Sequence, residues 1–314
     1  MPVVIARAPT RIDFGGGWTD VPPYDAEQGG CVCNVAISRY ATVELSEGAG
    51  YVPADELTRA ALKRAGLSNV RVAAGSDFPY GAGLGGSSAA GVALAGALAS
   101  WCGESLDRAG IAERSRSVEV EELRVAGGRQ DHYAAAFGGA LGLWFGDSVR
   151  TRRIPISPEM ARAIEQRCVV VYTGQSRISG ENITAVLDAY RAREPRVTTA
   201  LARMRDLAEM MIPALERGAL DELGALVGEH WTHQRRLHPA ITTPGIEAVL
   251  EAGRRAGAIG GKALGASGGG CVLVIAGEEN SDDVRRAVEA VSSPLEFRVD
   301  QDGLVVSRLE ERAA

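Results

Sequence analysis

The chain has 314 residues, and its 34 Lys and Arg against 40 Asp and Glu leave a formal charge of −6. At this length roughly 75% of the unfolded chain's surface should be buried, a core large enough for one big domain or two lobes. Hydrophobic residues at 46% and charged residues at 24% exclude disorder, collagen and coiled coil, and the mild acidity argues against a nucleic-acid partner.

Residues 3–8, 31–45 and 70–74 alternate or run apolar in the manner of strands, and 53–65 carries Leu57, Ala61 and Ala65 at helical spacing. Residues 87–101 are small and apolar nearly all round, so a buried helix is predicted there, with a charged helix over 106–125. The longest apolar run, 89–102, is broken by Gly91, Gly96 and Ser100 and falls short of the ~20 residues that span a bilayer. The start, MPVVIARAPTR, lacks the charged-then-apolar layout of a signal peptide, so a cytoplasmic protein without a membrane partner is expected. Residues 141–145 and 168–173 are further strand candidates, and the basic run 150–153 reads as a solvated loop. Pro155 and Pro158 punctuate the chain, giving expected domains of 1–156 and 157–314. Beyond them come amphipathic helices over 197–217, 220–236 and 243–256, strands over 259–264 and 271–276, and a helix near 281–291. A hairpin is expected around Asp302 and Gly303.

The five cysteines show no paired C-x-x-C spacing and read as reduced core thiols. His230, His233 and His238 cluster, but no acidic or cysteine set completes a zinc motif, so a surface or packing role is expected.

The 39 glycines are clustered rather than scattered. Tracts at 15–17, 81–86 and 265–270 lie far apart, and a weaker pair at 127–128 and 138–139 brackets Asp131. Tandem glycines mark backbone that turns with positive φ or approaches a ligand, so one site assembled from several loops is expected. Gly81-Ala-Gly-Leu-Gly-Gly-Ser-Ser88 leads into the buried helix, whose free N–H groups and positive dipole end would face an anion. The lysine of a Walker A loop and the acidic ribose binder of a dinucleotide site are both absent, and a plain strand-to-helix turn is the alternative reading. A serine hydroxyl in that loop can ligate Mg²⁺, with Glu119, Glu121 and Glu122 as candidate carboxylates. Asp131 either caps the helix it begins or, beside a phosphate loop, accepts a substrate hydroxyl's proton.

Three segments stand in order: Ala8-Pro-Thr-Arg-Ile-Asp-Phe-Gly-Gly-Gly-Trp-Thr-Asp20, the Gly-Leu-Gly-Gly-Ser-Ser loop, and Gly261-Lys-Ala-Leu-Gly-Ala-Ser-Gly-Gly-Gly270. On these motifs nearly the whole chain resembles the GHMP small-molecule kinases. Residues 126–139 and 172–177 are similar to the bacterial D-glycero-D-manno-heptose 7-phosphate kinases, and 16–24 to fucokinase, with Trp18 where heptose kinases usually carry a third glycine. The resemblance implies an α+β fold, with an N-terminal ribosomal-S5-like lobe and a C-terminal ferredoxin-like lobe. It implies ATP and Mg²⁺ as cofactors and a small-molecule sugar or sugar phosphate as substrate; a homodimer is one assembly the sequence leaves open.

Residue by residue, it implies Asp131 as the catalytic aspartate with Arg11 beside it. Gly81, Gly83, Leu84, Gly85, Gly86, Ser87 and Ser88 would hold the nucleotide, and Ser88 with Glu119 the metal. Asp20, Gly16, Gly17, Trp18, Gly268 and Gly269 are implied substrate contacts; Gly17 and Trp18 replace the Glu and His of galactokinase, which argues against galactose. Arg177 either meets a substrate phosphate or is ordinary surface charge, and Lys262 either serves the third motif or is a strand-edge surface lysine. The implied reaction phosphorylates an anomeric hydroxyl, with heptose 7-phosphate as leading acceptor and a fucokinase-like or other neutral-hexose 1-kinase as alternative. A non-catalytic sugar sensor is a rival class, against which intact Asp131, Arg11, Ser88 and Glu119 argue.

Overall fold

Long alternating segments in the first half of the chain build strands, and small-residue segments between them build helices. The computed structural model describes residues 2–124, 127–175 and 180–309. In order come β1 (Val3–Gly15), α1 (Tyr24–Gln28), β2 (Gly30–Glu47), α2 (Glu56–Arg64), β3 (Val70–Ser76), α3 (Gly86–Cys102) and α4 (Arg108–Ser117). A π turn (Val118–Glu122) extends α4, and α5 (Gln130–Phe137), β4 (Ala140–Phe145) and β5 (Arg150–Ile154) complete this half. The second half holds α6 (Pro158–Arg167), β6 (Cys168–Tyr172), α7 (Gly180–Arg191), α8 (Pro195–Glu216), α9 (Leu220–Gln234) and α10 (Pro244–Arg255). It closes with β7 (Ala258–Ala263), β8 (Cys271–Ala276), α11 (Ser281–Glu289), β9 (Ser293–Pro294) and β10 (Val305–Leu309).

The first sheet is antiparallel, in the order β10-β1-β2-β4-β5, with β3 paired to the far half of β2. The second is antiparallel in the order β7-β8-β6-β9. A register shift between Pro9 and Thr10 decides what β1 shows to each side. Before it, Val4, Ala6 and Ala8 pack with α3; after it, residues of the same parity, Ile12 and Phe14, pack with α8. Bulges re-aim side chains in this way, and here the swap turns Arg11 and Asp13 away from the apolar face covered by α8.

One apolar cluster joins the two halves. Ile12, Phe14 and Val35 of the first sheet meet Leu207, Met211 and Leu215 of α8, and Val227 of α9, with Leu273 and Ile275 of β8 on the far side. β8 alternates between two cores, Leu273 and Ile275 facing this cluster while Val272, Val274 and Ala276 face α10 and α11. That explains its unbroken apolar sequence. Among the described residues no helix is long and apolar enough to cross a membrane.

Several expectations change. The basic run 150–153 is not a loop but edge strand β5, where Arg150 lies 3.7 Å over the Trp144 ring and Arg152 pairs with Glu216 at 2.6 Å. Charged side chains on an edge strand discourage further pairing. No local hairpin forms at Asp302 and Gly303; β10 instead pairs with β1, from Val3 opposite Leu309 to Arg7 opposite Val305. The open edge of β1 offers a row of unpaired N–H and C=O groups, which outcompetes a local turn. Residues 305–309 therefore complete the sheet built from the first 156 residues. Four cysteines are buried as expected, but Cys102, at the exposed end of α3, is not a core thiol.

Candidate active site

The loop from β3 to α3, residues 77–85, carries Pro79, Gly81, Gly83 and Leu84. Gly85, at the start of α3, has φ +75, and a Cβ on it would stand 2.9 Å from the Asp131 carboxyl carbon. Only glycine lets the loop pass so close to α5 with that backbone. The helix then starts at Gly86, and the N–H groups of its first turn, at Gly86, Ser87 and Ser88, point out of the helix end. The third glycine tract lies against the same loop. The Cys271 N–H donates to the Ala82 carbonyl at 2.8 Å, and a Cβ on Gly83 would meet the Leu264 carbonyl at 2.6 Å. The Gly268 N–H donates to the Ile241 carbonyl at 2.8 Å, and Gly269 backs onto the Gln175 carbonyl.

On the far side of α3 the Ser87 hydroxyl donates to Glu119 Oε1 at 2.8 Å. His132 Nε2 lies 3.3 Å from both Glu119 Oε2 and the Ser88 hydroxyl, and its Nδ1 is 3.0 Å from the Ser115 hydroxyl. Burial pushes the Glu119 carboxyl up, but hydrogen bonds from His132 and Ser87, with the attraction of the ring, outweigh it and hold the group below its ordinary value. An ionised carboxylate beside two serine hydroxyls is a hard oxygen donor set, which suits Mg²⁺. Val118 and Glu119 open the π turn, and both are buried there. Turns of this kind recur at functional sites.

Arg11 joins the two sides. Its Nε and Nη2 both stand 2.7 Å from Asp131 Oδ1, while Nη1 donates to the Gly83 carbonyl at 2.8 Å. Next to Asp131, the Gln130 N–H donates to Asp20 Oδ2 at 3.0 Å. Burial above all, opposed by that N–H and helped by the charges of Asp131 and Asp13, pushes Asp20 up to about 7. The Gly16 N–H donates to His230 Nε2 at 2.9 Å, so the ring accepts there, and burial holds it neutral. A Cβ on Gly17 would lie 2.5 Å from Asp13 Oδ2 and 2.9 Å from Gln130 Nε2. Trp18 departs from the others. Its indole is buried in the cluster with Tyr24, Tyr190 and Trp231 and is 7% exposed. Arg177 lies outside the described residues.

The structure thus brings Arg11, Asp131, Asp20, Gly16 and Gly17 together with the loop Gly81–Ser88, Glu119, Gly268 and Gly269. It adds four side chains that the sequence did not single out in these roles. His132 orients Glu119, Gln130 flanks Gly17, His230 caps Gly16, and Lys262 is fully buried on Asp13 at 2.8 Å rather than at a surface edge. Gln130 and His132 flank Asp131 in sequence, which is the one local signal they carried.

Two family profiles match the chain: GHMP kinases N terminal domain over residues 54–139 and GHMP kinases C terminal over 211–295, together more than half of it. The chain belongs to the GHMP kinase family. Members of this family are kinases with alcohol acceptors that draw their phosphoryl group from ATP. A relative from Bacteroides fragilis, L-fucokinase/L-fucose-1-P guanylyltransferase, is 26% identical over 98% of this chain but only 38% of its own length. The chain thus spans well under half of that two-activity protein. The D-glycero-alpha-D-manno-heptose 7-phosphate kinase of Campylobacter jejuni is 30% identical over 62% of this GHMP chain and 58% of its own. Among solved structures, a D-glycero-D-manno-heptose 1-phosphate kinase from Bacteroides thetaiotaomicron superposes with a TM-score of 0.78 at 23% identity, covering 98% of this chain and 100% of that one. That likeness shows the α+β GHMP fold.

Proposed function

We propose that this GHMP protein is an ATP- and Mg²⁺-dependent sugar kinase that phosphorylates an anomeric hydroxyl, with Asp131 receiving that hydroxyl. The observation carrying the reading is Arg11, which grips Asp131 at 2.7 Å and the loop carbonyl of Gly83 at 2.8 Å. It ties the proton acceptor to the phosphate loop. Phosphoryl transfer asks the protein mainly for positioning and charge neutralisation. The loop and the first turn of α3 hold the nucleotide phosphates, and the Arg11 guanidinium offsets charge on the transferring group. The acceptor oxygen bonds to the γ-phosphorus as the bond to the ADP oxygen breaks, and the hydroxyl proton passes to an Asp131 oxygen. Ser88 and Glu119 would hold Mg²⁺, which neutralises phosphate charge when bound. Asp20 holds sugar hydroxyls, and the two lobes are taken as 1–156 and 157–314, with 305–309 returning to the sheet of the first.

Heptose 7-phosphate is the leading acceptor, supported by residues 126–139 and by the substrate in the Campylobacter kinase's name. A neutral sugar, as in fucokinase, is the second reading. Among the described residues it is favoured by Arg11 and Lys262, which both already carry carboxylate partners. The test is ADP release with Mg-ATP against heptose 7-phosphate, mannose, fucose, galactose and glucose, with the product position read by NMR. Turnover of the phosphorylated heptose alone supports the first reading, and a neutral sugar winning supports the second. Asp131→Asn should lose roughly 10²–10⁴-fold in turnover with ATP binding retained. Unchanged turnover removes Asp131 from the mechanism, and silence across the panel with ATP bound moves a sensor or an untested substrate to the front.

A further inference from the structure

Lys262 and Asp13 are 249 residues apart and meet at 2.8 Å, Nζ to Oδ2, with side chains 0% and 4% exposed. One stands on β7 in the second sheet, the other on β1 in the first. Of the 34 basic residues only Lys63 and Lys262 are lysines. A lysine offers one compact charge on a slim stem, where a guanidinium would bring five donors to satisfy.

Asp13 follows Arg11 by two residues on the same stretch of β1, so the two side chains share a face. Arg11 reaches Asp131, while Asp13 lies against Gly17 and close to the Gln130 amide. The turn that Asp13 supports is the one that carries Asp20. The second oxygen of Asp13, both amide atoms of its cross-strand partner Asn34, and Gln130 Oε1 are buried without a hydrogen-bond partner among the described residues. Little there screens charge. Asp20 faces Asp131 and the Gln130 N–H from α5 and Asp13 from β1. Behind these stand Arg11 on Asp131, Lys262 on Asp13, and neutral His230 of α9 on the Gly16 N–H.

We propose that Lys262 is a positioning residue for the acceptor site, acting through Asp13: it cancels a carboxylate charge that otherwise faces Asp20 and braces the Gly15–Gly17 turn against α5. This rests on reading Asp20 as an acceptor contact, but its primary test needs no turnover. Carboxyl ¹³C NMR of the full chain labelled at aspartate, with the Asp20 signal assigned through Asp20→Asn, follows the Asp20 titration directly. The wild-type midpoint is expected at about 7. Lys262→Met leaves Asp13 uncancelled and moves that midpoint up, whereas Asp13→Asn moves it down, each by about one pH unit. The double variant Asp13→Asn, Lys262→Met brings it back towards the wild-type value. A pair that merely staples the sheets lowers the thermal stability of both single variants but moves Asp20 the same way in both, or not at all. That result overturns the proposal.

Where a single variant does not fold, Lys262→Gln or Asp13→Ser, which keep a hydrogen-bonding group in place, take its position with the same expected directions. With an active sugar in hand, the acid limb of kcat/KM for the acceptor follows the same opposite shifts while the KM for ATP holds. Opposite NMR shifts without turnover on any sugar leave the pair standing and remove the kinase reading. Turnover with unmoved or parallel shifts removes the pair alone.

Discussion

Enclosed by Asp131, Asp13 and the Gln130 N–H, the Asp20 carboxyl is pushed from 3.8 to about 7, chiefly by burial. Between those two values the folded chain holds a proton that the unfolded chain has released, so stability falls as pH rises through that window and levels off above it. Asp20→Asn has no such proton to lose. Its urea midpoint should therefore differ less between about pH 5 and about pH 8 than that of the wild type; equal differences would contradict the burial of this carboxyl. A second prediction concerns His132, which lies against Glu119 Oε2 and the Ser88 hydroxyl, each at 3.3 Å. Partners that orient a metal-binding group typically tune affinity by ten- to a hundredfold. His132→Gln should raise the Mg²⁺ concentration for half-maximal activity by roughly that factor, with nucleotide binding in the absence of metal unchanged. A Mg²⁺ requirement like that of the wild type would detach His132 from the metal side.

Elements succeed here through their ends and irregularities. α3 is apolar on every side and packs between the first sheet and α4, so its register is set by burial, and its N-terminus is left to the glycine loop. Gly85→Ala forces a left-handed residue with a Cβ, at a cost of about 1–2 kcal/mol, and drives that Cβ into the Asp131 carboxyl. Turnover should fall by more than the loss of folding free energy accounts for, read by urea unfolding beside kcat. A variant destabilised as expected but fully active would show that the loop and Asp131 are not mechanically coupled. The π turn after α4 is a second irregularity. A continuous helix over 106–125, as the charge pattern suggests, keeps a 3.6-residue period, whereas the structure departs from that period at Val118 and buries Val118 and Glu119 in succession.

At the scale of the whole molecule the two sheets share one apolar cluster, in which Phe14, Met211 and Leu273 come from three separate parts of the chain. The buried Lys262–Asp13 pair and the return of β10 to β1 bind them further. The protein should therefore unfold in one step. Tryptophan fluorescence, which samples Trp18 and Trp231 as well as Trp101 and Trp144, should give the same urea midpoint as far-ultraviolet circular dichroism. Two separated transitions would mean that the shared cluster does not couple the halves.

The glycine loop and the buried α3 were legible in the amino-acid sequence, while Arg11, Asp131 and Glu119 were singled out together only by the motifs shared with the GHMP kinases. Their signals are local: glycines clustered where the backbone must turn left-handed, small apolar residues without a polar stripe, and short motifs of fixed spacing. Strands β1 to β4, β6, β7 and β8 were legible as alternating or unbroken apolar runs written within a few residues, whereas edge strand β5 had read as a loop, β10 as part of a local hairpin, and β9 carried no signal. What the sequence left open depends on partners far along the chain. That residues 305–309 leave Gly303 for the edge of β1, that the shift at Pro9 turns Arg11 and Asp13 to one side, and that Lys262 is buried on Asp13 are outcomes of packing between segments up to some three hundred residues apart. No neighbouring residue announces them. A lysine beside glycines in a strand reads the same whether its charge meets water or a buried carboxylate, and only the assembled core decides which.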